Sequence, residues 1–239
     1  MISANAIVQR QHIEVSFAGS SSRAELLDCY RQLRKISKQH HSAMIELIPN
    51  NAIIPQARRL GLVQGKTIVL DSYDDMNLVF DLLIYTSSID RPRAVDRYAR
   101  IARLPSGTDE ALVLEAMQNA QFSILHFKRR HPVVGLIVED LFRDAEYWLI
   151  DEGLESSLQD EAMLATRLYH LDTFCMTAGV FVPLDLDLIR DAMAEVPQLQ
   201  RKGPEKAINS RLFAEAIYRT AFESGAMERV AYRDVEEEA

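Results

Sequence analysis

The chain has 239 residues, 48% hydrophobic and 26% charged, which is the composition of a folded globular protein and excludes collagen-like, disordered and coiled-coil classes. Its 35 Asp and Glu against 27 Lys and Arg give a formal net charge of -8, which disfavours a general nucleic-acid binder, since that needs a basic footprint. No basic segment followed by an apolar one opens the chain, apolar runs fall short of the ~20 residues that cross a bilayer, and Cys29 and Cys175 suggest no disulfide framework, so a cytoplasmic protein with no membrane contact is expected.

In chain order, Leu26, Cys29, Tyr30, Leu33, Ile36, His40, Met44 and Leu47 recur on one helical face, predicting a helix with Ser22 as N-cap and Pro49 as its stop. A short helical piece follows from Pro55 to Leu60, ended by Gly61, and Lys66 to Leu70 reads as a β-branched strand after a turn at Gly65. Asp74 and Asp75 open a helix to Tyr85. Another fits Arg91 to Arg103, ended by Pro105, and Thr108 caps a further one to Gln121.

From Phe122 the pattern changes to five β-rich runs: Phe122 to Arg130, Val133 to Phe142, Glu146 to Ile150, Met163 to Tyr169 and Phe174 to Val182. Polar turns separate them, which predicts a compact antiparallel sheet or a small barrel whose closure removes exposed edges. Its core candidates are Ile124, Phe127, Val134, Leu136, Val138, Leu141, Trp148, Ile150, Leu164, Leu168, Phe174, Met176 and Val180.

Beyond Pro183, Leu186, Ile189, Met193 and Val196 mark a helix that stops before Pro197. Gln198 to Gly203 reads as a polar break. Pro204 starts a last helix to Gly225, with Glu215 and Arg219 spaced for an i,i+4 pair, and Glu236 to Glu238 close a solvated tail. The expected fold class is α+β: a mainly helical framework with a central five-stranded antiparallel sheet or small β-barrel. It divides into a helical region 1–121, a β region 122–183 and C-terminal helices with an acidic tail 184–239.

The segment Gly135 to Leu141 followed by Glu146 to Asp151 resembles the small β segment of bacterial proteins related to those carrying SEC-C motifs. Arg97 to Ala120 is similar to an uncharacterised bacterial family, so the resemblance covers about the middle half of the chain. It rests on an apolar hairpin pattern. The Cys/His cluster of the SEC-C tail is absent, so the resemblance implies neither zinc nor an activity.

The nine glycines form no Walker A or G-x-G-x-x-G loop, and Ser20, Ser21 and Ser22 stand in no G-x-S-x-G turn. The histidines His12, His40, His41, His126, His131 and His170 form no H-x-x-x-H pair, and His40 and His41 point to different helix faces. No catalytic, cofactor-binding or metal-binding residue is assigned, and no cofactor is expected. Asp187, Asp191 and Glu195 share a face and read as a solvated acidic surface; Cys29 and Cys175 read as packing thiols. Gln56 to Gly61 with Lys66 to Leu70 invites a helix-and-wing comparison but lacks a helix-turn-helix partner, so it reads as a packing segment.

Charge is uneven: Arg23 to Leu104 holds 13 basic and 9 acidic residues, Phe122 to Pro183 holds 5 and 10. The strongest interaction signal is Arg93, Arg97 and Arg100, on neighbouring helical turns beside Tyr98. Lys128, Arg129 and Arg130 form a second basic patch at a strand end. Both are candidate partner-binding residues. The expected function is a soluble protein-interaction or regulatory protein with a protein partner. The alternatives are nucleic-acid binding through the basic N-terminal helices, or an enzyme whose dispersed site emerges only in three dimensions.

Overall fold

A computed structural model describes residues 22–70, 72, 75–87, 92–200 and 204–229. The expected helix starts at Asp74 and Arg91, the end of the polar break at Gly203, the acidic tail, His12, Ser20 and Ser21 lie outside the described residues.

Helix α1 (Arg23–Glu46) begins in a capping box, with Ser22 Oγ accepting from the Glu25 N–H and the Glu25 carboxylate accepting from the Ser22 N–H at 2.7 Å. Leu26, Tyr30, Leu33, Ile36, His40 and Met44 form its buried face. Cys29 lies about 100° round the helix from Tyr30 and is exposed, which corrects its expected packing role. Pro49 stops α1 and also serves as the N-cap of α2 (Asn50–Arg59), which starts earlier than expected and carries Pro55 inside it. The expected strand at Lys66 to Leu70 shrinks to β2 (Thr67–Ile68), paired with β1 (Val63–Gln64) around Gly65, whose φ of 64° suits glycine. Then come α3 (Asp75–Tyr85), α4 (Ala94–Ala102) and α5 (Asp109–Gln118). Helix α4 is shorter than expected because Arg93 is its N-cap and Arg103, at φ 46°, ends it ahead of Pro105. Thr108 caps α5 through the Ala111 N–H at 3.3 Å, as the sequence predicts.

The five β runs become β3 (Gln121–Arg130), β4 (Leu136–Asp140), β5 (Ala145–Leu149), β6 (Met163–His170) and β7 (Cys175–Leu184). Their order closes on itself as β3-β4-β5-β7-β6. The sheet is mixed, which corrects the antiparallel expectation: β5 and β7 run parallel where Leu149 meets Cys175. A closed ring with an odd number of strands cannot alternate direction throughout, so one parallel pair is a consequence of closure. The unforeseen helix α6 (Glu152–Ser157), capped by Asp151, follows β5 on the connection that carries the chain across to β6.

Both faces of this sheet are covered, which explains why its strands read as continuous apolar runs. Leu125, Phe127, Leu136, Val138, Leu149, Leu164 and Leu168 fill the inside. The outer face packs on one side against α1, α3, α4 and α5, and on the other against α2, α3 and the C-terminal helices. All the expected core residues are buried except Leu141, which is 40% exposed in the turn after β4.

Helix α7 (Leu186–Glu195), capped by Asp185, is followed by a helical turn α8 (Pro197–Gln200) where a polar break was expected. The expected last helix is two, α9 (Pro204–Ile208) and α10 (Arg211–Glu223), because Ser210 adopts the extended N-cap conformation and restarts the ladder. The expected Glu215–Arg219 pair does not form: Glu215 pairs with Arg211 at 3.3 Å and Arg219 with Glu195 of α7.

Candidate functional site

The three arginines expected to share one stripe have separate roles. Arg93 donates from Nε and Nη2 to both oxygens of Asp96 at 2.7 and 2.8 Å, and this hydrogen bonding holds the Asp96 carboxyl below its ordinary range. Arg97 donates from Nη2 to the Leu47 carbonyl at 3.2 Å, satisfying the C-terminal end of α1. Arg100 is exposed. In the second patch, Lys128 pairs with Glu139 on β4 at 3.0 Å, Arg130 donates to the Glu155 and Leu158 carbonyls at the end of α6, and Arg129 is exposed. The turn at His131 is structural: its Nδ1 accepts from the Val133 and Val134 N–H groups at 3.2 and 3.4 Å, and its ring stacks on Trp148 at 4.4 Å.

Arg93 also lines a polar pocket of about 270 Å3, where the C-terminal end of α3 meets the N-terminal ends of α4 and α10 against β3 and β6. Tyr85, Phe122, Arg167, Ser210 and Arg211 share the wall. Among the described residues every charged residue in the lining is an arginine, and their carboxylate partners Asp96, Asp81 and Glu215 do not line the pocket. Arg167 donates from Nε and Nη2 to the two oxygens of Asp81 at 2.8 and 2.7 Å, and its guanidinium lies 4.8 and 5.6 Å from the ring centres of Tyr85 and Phe122. Burial opposes its charge, but Asp81 outweighs burial and raises the Arg167 pKa. Arg93 and Arg167 thus pair alike, through Nε and Nη2, leaving Nη1 of each outside the carboxylate pair.

The N-cap residues of two helices, Arg93 of α4 and Ser210 of α10, line the same pocket. Side chains cap α1, α5, α6 and α7, whereas Pro49 at α2, Arg93 at α4 and Ser210 at α10 make no side-chain capping bond; Asp96 stands in the first turn of α4 and no acidic residue in that of α10. Helix N-termini carry a partial positive charge and N–H groups without intrahelical acceptors. Arg211 holds this corner by donating to Gln56 Oε1 at 3.1 Å and Glu215 at 3.3 Å, and Arg143 by donating to Asn209 Oδ1 at 2.8 Å.

Behind the pocket runs a buried polar chain. Tyr218 donates to Asp81 at 3.0 Å; Tyr85 and Tyr169 hydroxyls lie 2.5 Å apart and meet His41 Nε2 at 2.8 and 3.0 Å. Burial, then the Arg34 charge, lowers the His41 pKa to about 4, and burial raises those of Tyr85 and Tyr169. At neutral pH the imidazole and both phenols stay uncharged, acting as struts that fix the pocket wall.

Other candidates carry less. A groove of about 450 Å3 beside α4 and α5 has mixed charge, Arg93 with Asp96 and Glu115. Cys175 does have a base beside it, contrary to expectation, because the β6–β7 register sets His170 opposite it, with Nδ1 3.1 Å from Sγ. Burial pushes that thiol up to about 12, so it remains protonated. Asp187 and Asp191 pair with Arg190 at 2.7 and 3.2 Å. Among the described residues no group of three or more His, Cys, Asp or Glu can hold a metal, and no helix is long and apolar enough to cross a membrane.

Sequence reasoning reached Arg93 but missed Arg167, Ser210 and Arg211. Two signals mark them: an arginine inside the apolar run Met163 to Tyr169 must be paired if buried, and Arg211 puts a cation in a first turn, where the helix dipole disfavours it.

The model of a family of unknown function (DUF7986) matches residues 24–222. No curated protein and no solved structure matches the chain.

Proposed function

Because the chain belongs to that family of unknown function, we propose its role from the geometry of the pocket: it is an interaction or regulatory protein that recognises the oxyanion of a small ligand. The carrying observation is that Arg93, Arg167 and Arg211 are the only charged residues among the described residues that line the pocket, next to the N-termini of α4 and α10. Carboxylate pairing outside the lining makes this charge affordable in the free protein and holds the forks rigid, so little conformational entropy is lost when an anion arrives. Arg100 and Arg129 are exposed and form no ion pair among the described residues, so a protein partner is proposed to meet those two rather than Arg93 or Arg97.

The test is calorimetric titration of the full chain with phosphate, sulfate and acetate, alongside thermal shift. An oxyanion at about 100 times its Kd stabilises the fold by about 2.7 kcal/mol. Arg93→Gln is expected to weaken binding while the chain stays folded. Absence of any Arg93-dependent binding or stabilisation by all three anions refutes the reading.

A further inference from the structure

We infer that the outer side of α2 and the β1–β2 hairpin is a docking surface, and that its occupant is the acidic segment 230–239 of this same chain. Helix α2 turns Gln56, Ala57 and Leu60 inward and leaves Asn51, Ile54, Pro55 and Arg58, spaced i, i+3, i+4 and i+7, on its solvent side. The hairpin alternates to the same effect: Val63 and Ile68 pack on the core that holds Ala57 and Leu60, while Gln64, Thr67 and Val69 face out. It is rooted on α2, because the Leu62 N–H donates to the Ala57 carbonyl at 3.0 Å and the Val69 N–H to the Leu62 carbonyl at 2.9 Å. One surface therefore carries Ile54 and Val69, 39% and 43% exposed, together with the exposed cations Arg58 and Lys66.

Asn50 to Leu70 contains no Asp or Glu, in a chain that holds 35 of them, and Arg58 and Lys66 form no ion pair among the described residues. An apolar centre with a basic rim fits a segment that is both apolar and acidic. Residues 230–239 supply both: Val230, Tyr232 and Val235 with Asp234, Glu236, Glu237 and Glu238, against Arg233 alone. Two free cations fall short of the roughly six to ten phosphate contacts of a duplex binder, so nucleic acid is the poorer fit. The segment also has the reach. Helix α10 begins beside α2, where Arg211 donates to Gln56 at 3.1 Å, and its 13 residues run about 20 Å towards the 3-10 turn Ala226–Arg229, where the described residues end. Residues 230–236 can span about 23 Å, enough to return along α10 to α2.

The test is carbodiimide coupling of the dilute full chain, which joins a lysine amine to a carboxylate in contact with it, followed by digestion and mass spectrometry. Lys66 is expected to couple to Glu236, Glu237 or Glu238 within one copy, at least about threefold more than the exposed Lys35 and Lys38 of α1 do. Ile54→Ser and Arg58→Glu, both at exposed positions where the fold tolerates change, should each lower that yield by about twofold to fivefold. Glu237→Arg added to Arg58→Glu should restore it by exchanging the charges. Absence of coupling at Lys66, yields indifferent to Ile54 and Arg58, or coupling spread evenly over Lys35, Lys38 and Lys66 overturns the docking. Coupling found only between copies gives the surface to a second copy, and coupling of Lys66 to Glu14 gives it to the N-terminal segment. Loss of the coupling on adding an equimolar short DNA duplex gives it to nucleic acid; each of these overturns the assigned occupant.

Discussion

Arg167 of β6 and Asp81 of α3 form a two-bond ion pair whose side chains are only 6% and 2% exposed. Removing one partner strands the other charge in the core, so Asp81→Leu should lower stability by about 3–5 kcal/mol. The double variant Asp81→Leu/Arg167→Met should recover at least half of that loss while abolishing anion binding. Urea unfolding of the three proteins checks the first statement and calorimetry the second. A double variant no more stable than the single one would show that Arg167 stabilises the fold by something other than its charge partner.

Gly135 has φ 81°, and a Cβ there meets the Leu149 carbonyl oxygen at 2.3 Å. That oxygen belongs to the β5 backbone and cannot swing aside. Gly135→Ala should therefore cost about 2–4 kcal/mol. At Gly179, with φ 92°, the nearest atom is the flexible end of Arg34 at 2.7 Å, so Gly179→Ala should cost less, about 1–2 kcal/mol of backbone strain. Reversal of this order in denaturant melts would contradict the close approach at Leu149.

His41 links the pocket-side tyrosines to α1, and its pKa falls from 6.5 to about 4 on folding. Because the folded value is depressed, the unfolded chain takes up the proton first as pH falls. The His41 contribution is complete above the unfolded pKa and is lost between about pH 6.5 and pH 4, amounting to about 3 kcal/mol. The difference in stability between wild type and His41→Gln, followed from pH 7.5 to pH 4, should shrink over that window. A pH-independent difference would show that the imidazole is equally protonated in both states.

The two thiols should separate cleanly under alkylation of the native protein. Cys29 is exposed and Cys175 buried, with the Cys175 thiol pushed up to about 12 beside His170. Intact mass should show one label, on Cys29, at neutral pH. Cys29→Ala is expected to change stability by less than about 0.5 kcal/mol and Cys175→Ala to cost about 1–3 kcal/mol. Rapid labelling of Cys175 would point to an open, activated Cys–His pair.

Arg97 and Arg100 stand one helical turn apart yet should behave differently. Arg97→Ala removes a charged donor from the Leu47 carbonyl and should cost about 1.5–3 kcal/mol, whereas Arg100→Ala, at an exposed position, should stay within about 0.5 kcal/mol. Equal effects in thermal melts would undo the assignment of Arg97 to the α1 terminus.

How much of this was legible in the chain follows the range of the interactions concerned. The Ser22 and Thr108 caps, the stripe from Leu26 to Met44 and the five β runs were readable because each is set by residues within one or two turns or along one strand. The same locality put Val134, Leu136, Trp148 and Leu168 in the core, since a sheet covered on both faces leaves few apolar positions outside; Leu141 failed where its strand had already ended. The three-dimensional fold alone decided the parallel β5–β7 contact, which arises from closing an odd ring of strands, and the restart at Ser210 that puts Ser210 and Arg211 in the pocket lining. It also decided which arginines line the pocket. Arg93 and Arg97 look equivalent on a helical wheel, but one meets a pocket and the other a helix end, and Arg167 finds Asp81 across 86 residues of chain. No local pattern encodes these pairings, because the choice of partner for a buried charge is made by packing, after the local elements have formed.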